Sequence, residues 1–258
     1  HRFIDRFNLK TGQKDREVSD LVKIVEIKAN DLGKLLEKIT CSVNEENSNT
    51  KKLIYLLEKE EAPGSTKIIR KNIRSISVYL PKENTTYFIR MREEDFVTYW
   101  KAIFEDETIE KYSYDIAEDY VMLKELGIQM KNIYYDVKIA AYDLNPTMSN
   151  FSIENVSFQY LSIDTSEYLS KYEDKTKKQE QMKLFQEEEA NRNSLFNYGF
   201  KTYLISKIAE KTLEELEKVN SSDLFHKIEM PLVKVLGEMQ VNGMYVDKEE
   251  LTNIGNEL

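Results

Sequence analysis

A mixed α/β sheet flanked by helices, followed by a further run of helices, is the architecture that this 258-residue sequence predicts. Three observations predict it. Strand-like runs at Leu53–Leu57, Ile73–Leu80 and Thr86–Met91 succeed one another with turn signals between them, Pro63-Gly64-Ser65 and Pro81-Lys82-Glu83-Asn84. Beyond them the pattern alternates strand, helix, strand, helix between Tyr112 and Tyr142. From Ser152 onward the apolar spacing is mostly helical. The antiparallel meander and the two later strands make a five-stranded sheet.

Taken in order, residues 1–20 are polar and aperiodic and read as a linker. Leu21 to Ile27 is a further strand candidate, and Asn30 or Asp31 caps a helix carrying Leu32, Leu35, Leu36 and Ile39. Residues 42–51 are a polar loop. After the meander, Glu93–Phe104 is a helix with Phe96, Trp100 and Ile103 on one face. Tyr112–Tyr114 is a strand, and Ile116–Leu126 a helix stopped by Gly127. Ile133–Tyr135 is a strand whose successor, Asp136, caps a helix ending near Asn145-Pro146. Ser152 caps a helix through Leu161. The charge-dense stretch 171–193 reads as a solvated helix or mobile loop, and Tyr198–Val219 as a long amphipathic helix.

Near the end, Phe225, Ile228, Leu232, Val235 and Met239 recur at steps of three and four, the mark of one buried helical stripe. Ser222 or Asp223 caps its start, Pro231 predicts a kink, and Gly243 closes it. Asp247 then caps a new helix with Glu250 three residues on, and the sequence stops with that helix barely begun. This predicts a piece of a longer protein, whose tail from about Leu224 exchanges its amides early for want of partner helices.

Composition narrows the chemistry. No apolar run approaches the roughly 20 residues that span a bilayer. A single cysteine, Cys41, excludes an internal disulfide and fits a reducing cytoplasm. With only His1 and His226 beside it, a Cys/His zinc site is excluded, and any metal would need carboxylates, which favours magnesium or manganese. A net charge of −9 argues against a free-standing binder of duplex DNA. The basic run Lys67, Arg70, Lys71, Arg74 is a candidate for phosphate contacts, or else the solvated rim of a sheet.

The order Ile228-Glu229-Met230-Pro231-Leu232-Val233, then Val235-Leu236, Gly243 and Val246-Asp247, is similar to the entry into the polymerase domain of bacterial DNA polymerase I. Lys111-Tyr112-Ser113-Tyr114-Asp115-Ile116-Ala117-Glu118-Asp119, with Leu123 and Leu126-Gly127-Ile128, resembles the proofreading-exonuclease domain of the same family, as do Tyr135-Asp136 and Ala140-Ala141-Tyr142. The resemblance implies a ribonuclease H-like fold, with 1–20 a linker, 21–220 the exonuclease-like domain and 221–258 the first helices of the polymerase thumb. It further implies partnership with the remainder of a polymerase chain, and through it with DNA, in the cytoplasm and not at a membrane.

Exonucleases of this type hold two divalent metals in a cage of four carboxylates. An Asp-x-Glu on the first meander strand uses the period-two geometry that points both side chains to one face. Here the resemblance places Leu56 at the aspartate and Glu58 at the glutamate. Asp119 matches the second aspartate and lies on the stripe of Ile116, Leu123 and Leu126, so it needs a partner. The third position wants Tyr-x-x-x-Asp and finds Asn197 and Lys201. Two ligands of four remain, which implies a disabled exonuclease domain with a structural role and no cofactor of its own, Mg²⁺ belonging to the polymerase beyond. Lys201 is expected to stand in for the metal by pairing with Asp119 or Glu58. The rival readings are an active metal-dependent nuclease using displaced carboxylates such as Glu60, Glu61 or Asp115, and a protein-interaction module on the same fold.

Overall fold

The computed structural model describes residues 21–28, 31–41, 51–61, 71–168, 186–243 and 245–257, without the side chains of 41, 61, 186–193 and 257. In chain order the strands are β1 (Lys23–Glu26), β2 (Lys51–Glu61), β3 (Lys71–Leu80), β4 (Thr85–Arg90), β5 (Ile109–Ser113) and β6 (Ile133–Asp136). The helices are α1 (Leu32–Cys41), α2 (Glu93–Glu105), α3 (Ile116–Glu125), α4 (Val137–Leu144), α5 (Ile153–Leu161), α6 (Gln186–Lys218), α7 (Met230–Asn242) and α8 (Lys248–Glu257). The sheet has six strands in the order β1-β4-β3-β2-β5-β6, one more than the five expected. The extra member is the Leu21–Ile27 candidate, trimmed to β1, which pairs parallel with β4 from Lys23↔Thr85 to Glu26↔Phe88.

The meander forms as its turn signals require. Between β3 and β4 a short 3-10 turn, Pro81–Glu83, ends on Asn84 in the left-handed region (φ 45°), a conformation that asparagine tolerates. The Pro63-Gly64-Ser65 signal lies outside the described residues. β2 is central: antiparallel to β3 and parallel to β5, which pairs parallel with β6. Opposite Glu58 and Lys59, β3 carries an extra residue: Glu58 faces Ser75 and Lys59 faces Ile73, so Arg74 bulges out.

One side of the sheet packs an aromatic group from α2, Phe96, Trp100 and Phe104, with Tyr55 of β2 edge-on to Phe104 at 5.0 Å. The long helix α6 crosses the sheet, burying Phe200, Leu204, Ile205 and Ile208. It comes so near β1 that a Cβ at Gly199 would stand 2.7 Å from Ile24 Cγ2. Its first turns take in the end of the charge-dense stretch; residues 171–185 of that stretch lie outside the described residues.

The C-terminal helix departs from the expected pattern. Pro231 lacks an N–H and its ring crowds the carbonyl four residues back. The turn ahead of it, Phe225–Glu229, accordingly widens to a π turn in which Met230 N–H reaches Phe225 O. The extra residue rotates everything downstream. Phe225, Met230, Val233 and Gly237 are buried, whereas Ile228 (56% exposed), Leu232, Val235, Leu236 and Met239 (63%) face outward. The predicted buried stripe is therefore wrong beyond Phe225. Nor does this helix stand apart: Tyr120 of α3 donates to Glu238 at 2.6 Å, and Lys124 pairs with Glu238 at 2.7 Å. The start of the segment is capped differently too, by Ser221 in place of Ser222 or Asp223 and without a side-chain bond. Gly243 (φ 67°) closes α7, and Asp247 Oδ1 accepts from Glu249 N–H and Glu250 N–H to open α8. No helix among the described residues is long and apolar enough to cross a membrane.

Candidate functional site

Leu56 and Lys201, two of the site residues singled out from sequence, line a groove of about 370 Å³ together with Lys59, Lys71, Glu118 and Glu154. Leu56 is 6% exposed and offers the groove a hydrocarbon surface where a metal-bridging carboxylate is needed. Glu58, on the same face of β2 as Leu56, accepts from Ser75 Oγ at 2.6 Å and from Ser194 Oγ at 2.5 Å. Each of its oxygens is thus committed to a hydroxyl.

Asp119 is fully buried in the first turn of α3, on the side facing β2. One oxygen accepts from Ser113 Oγ at 3.2 Å, and the other, Oδ1, stands 2.6 Å from the Lys59 ammonium. Lys59 also meets Glu118 Oε2 at 2.6 Å, and Lys71 meets Glu118 Oε1 at 2.5 Å. Strand alternation explains the partnership. Lys59 is four residues on from Tyr55 and shares its face, and the buried Tyr55 hydroxyl lies close enough to Asp119 to feel its charge. Burial opposes the Lys59 charge, but Asp119 and Glu118 outweigh it and hold the amine's pKa above its ordinary value. For Glu118, burial is likewise overcome by Lys59 and Lys71, which hold its pKa low.

The third expected position gives the clearest correction. Lys201 does not pair with Asp119 or Glu58; its ammonium meets Glu154 of α5 at 2.6 Å. One turn of α6 earlier, Asn197 has its side-chain oxygen buried and without a hydrogen-bond partner. Glu58 and Asp119 are held by separate groups, so the expectation of two carboxylates sharing Lys201 fails twice. Serines satisfy one carboxylate, and a lysine next to it in sequence satisfies the other.

The displaced carboxylates are also engaged. Glu60 pairs with Arg74 at 3.3 Å and Asp115 with Lys138 at 2.9 Å, while the Glu61 side chain lies outside the described residues. Of the basic run, Lys71 and Arg74 are taken up in these ion pairs, and Lys67 and Arg70 fall outside the described residues. Among the described residues no three His, Cys, Asp or Glu side chains gather into a set able to hold a metal ion. The residues present do not fit a two-metal cage. Lys59, which completes the site electrostatically, was not singled out from sequence. The signal for it was there: Asp119 on an apolar stripe required a partner, and Lys59 ends the alternation Tyr55, Leu57, Lys59 on the facing strand.

Comparison with known proteins agrees with this fold. Residues 70–169 match the family described as DNA polymerase I, ribonuclease H-like domain. DNA polymerase I of Bacillus subtilis is 30% identical over 159 residues, 62% of this chain and 17% of the relative. That of Borreliella burgdorferi is 36% identical over 133 residues, 52% of this chain and 14% of the relative. The chain thus spans less than a fifth of the length of these two relatives. Among solved structures, the POL domain of Pol1 from Mycobacterium smegmatis, complexed with DNA primer-template and dNTP, superposes with TM-score 0.66 at 14% identity, covering 90% of this chain and 35% of that one. Brucella melitensis NrnC with bound Mg²⁺ superposes with TM-score 0.55 at 11% identity, covering 86% of this chain and 94% of that one. Sheet order, family match and relatives meet in one conclusion: the core of this chain is a ribonuclease H-like, exonuclease-type domain similar to that of bacterial DNA polymerase I.

Proposed function

We propose that this domain is a disabled 3′–5′ exonuclease, kept as a non-catalytic support for a DNA polymerase in the cytoplasm. One observation carries the reading. The four positions that would cage two metals hold an alkyl side chain, a glutamate tied to two serines, an aspartate neutralised by Lys59, and a lysine paired with Glu154. Removing a single charge-stabilising group from an active site typically costs about 10²–10³ in rate, and here the bridging ligand and the third-position acid are both lacking.

The supporting role would fall to α3 and α7. In this reading residues 221–258 lead toward the polymerase domain, and α3 seats them on the exonuclease-like core through Tyr120 and Lys124. DNA and the Mg²⁺ of nucleotidyl transfer would be met by the polymerase domain. A single-stranded oligonucleotide labelled at its 5′ end, incubated with this chain and Mg²⁺ or Mn²⁺, is expected to remain intact. Shortening of the label that vanishes in Glu58→Ala or Asp119→Ala would show instead an active nuclease.

A further inference from the structure

Two carboxylate oxygens converge on one point, and a lysine of this chain occupies it. Lys59 Nζ is 2.6 Å from Glu118 Oε2 and 2.6 Å from Asp119 Oδ1. Its side chain is only 12% exposed, and were the ammonium to swing out, Glu118 would keep Lys71 as counter-charge while Asp119 would lose its own. Asp119 has the most to lose. It is wholly buried, and the Lys59 ammonium 2.6 Å from Oδ1 supplies the positive charge that opposes its desolvation.

We propose that Lys59 is the resident cation of this domain: the fold requires a positive charge between β2 and α3, and the chain supplies it as a tethered ammonium that does for Asp119, one of the four cage positions, the charge-balancing work of a bound divalent ion. The inference rests on reading the domain as a disabled nuclease. A dication in such a cage does two things, neutralising buried carboxylates and polarising a phosphate and a water. An ammonium can do the first. With one charge, three donors and no open coordination position it cannot do the second. Lys59 thereby retains at Asp119 the structural half of a metal's work without the catalytic half.

The geometry also ties this charge to the far side of α3. Asp119 and Tyr120 are consecutive, the first facing β2 and the second seating α7 through Glu238. Holding Asp119 fixes the rotation of α3 about its axis, and with it the seat of α7.

Lys59→Ala tests the proposal in the 258-residue chain. A thermal midpoint lowered by roughly 10 °C is expected, as for a buried charge left unpaired. Millimolar n-propylammonium or Mn²⁺ should restore part of that loss in the variant and leave the unsubstituted chain unmoved. The double variant Lys59→Met/Asp119→Leu, which deletes both charges of the buried pair, should melt near the parent. If Lys59→Ala fails to fold, the double variant decides alone: folding supports the proposal and failure overturns it. An unchanged midpoint in Lys59→Ala overturns it, as does a loss that neither cation nor the double variant repairs, which would assign the effect to packing of the lysine stem. Stabilisation of the unsubstituted chain by Mn²⁺ would also overturn it. Nuclease activity in the unsubstituted chain would instead sink the disabled-nuclease reading, independently of these melts.

Discussion

Gly237 of α7 rests against the ring of Tyr120 on α3, so near that a Cβ there would stand 2.4 Å from Tyr120 Cδ1. Tyr120 is buried and its hydroxyl is committed to Glu238, so the ring has no free direction in which to yield. This contact sets the distance between α7 and α3.

Gly237→Ala should therefore destabilise, although alanine is the better helix former. Overpacking of about 1–3 kcal/mol opposes a propensity gain of about 1 kcal/mol, and α7 should exchange its amides faster than in the parent. Gly255→Ala in α8, where nothing lies within 4 Å of the new methyl, should show the opposite sign. A rise in midpoint for both variants would mean that α7 is not seated on Tyr120 in solution.

Lys111 makes stability depend on pH. It is wholly buried in β5, its ammonium donating to the Asp106 carbonyl, and burial drives its pKa from the ordinary 10.5 down to about 8. In the unfolded chain the amine keeps its proton up to its ordinary value, so between about 8 and 10.5 the unfolded state binds more protons than the folded one. Stability should accordingly rise with pH through that window, and the full cost of the buried charge is present below pH 8. Lys111→Met should gain stability at pH 7, by at most about 3 kcal/mol, and should lose the alkaline rise. Parallel midpoint-versus-pH curves for variant and parent would show that Lys111 is not the responsible group.

Asp136 joins the starts of two helices through three backbone N–H groups. Its carboxylate accepts from Lys138 N–H at 2.7 Å and Ile139 N–H at 3.1 Å at the start of α4, and from Ile116 N–H at 2.5 Å at the start of α3. Asp136→Ala should cost about 1–2 kcal/mol for the cap, with about 1–3 kcal/mol more for the buried Ile116 N–H left bare. Asp136→Asn retains an acceptor and should lose less. Equal denaturant midpoints for the two variants would remove the cap from the account.

Where structure follows from neighbours in the chain, the sequence was readable. The meander, the Asp136 and Ser152 caps, the Gly243 stop and the buried position of Asp119 all rest on spacing within a few residues. The misreadings arise where distant parts meet. β1 is the strand expected at Leu21–Ile27, but its place beside β4, which makes the sheet six-stranded and not five, has no local signal. Lys201 looked free to reach Asp119 or Glu58 until Glu154, from another helix, claimed it. The outward turn of Leu232 and Val235 follows from a π turn whose extra residue leaves no mark in the spacing. Lys59 went unnoticed because a lysine at the end of a strand is ordinary until a buried acid is placed opposite it.

The sheet order sets a timetable for synthesis. β1 leads the described strands, yet its partner in the sheet is β4, the last strand of the meander, and its Ile24 is pinned by Gly199 of α6, still later in the chain. In a nascent chain emerging from its N-terminus, β2, β3 and β4 can pair while β1 waits as unattached polymer. Until it is captured, the outer edge of β4 offers unpaired amides and carbonyls to any other extended chain nearby. A ribosome that stalls just past Arg90 would therefore hold a meander with two edges to fill, that of β4 by β1, already made, and that of β2 by β5, still to come.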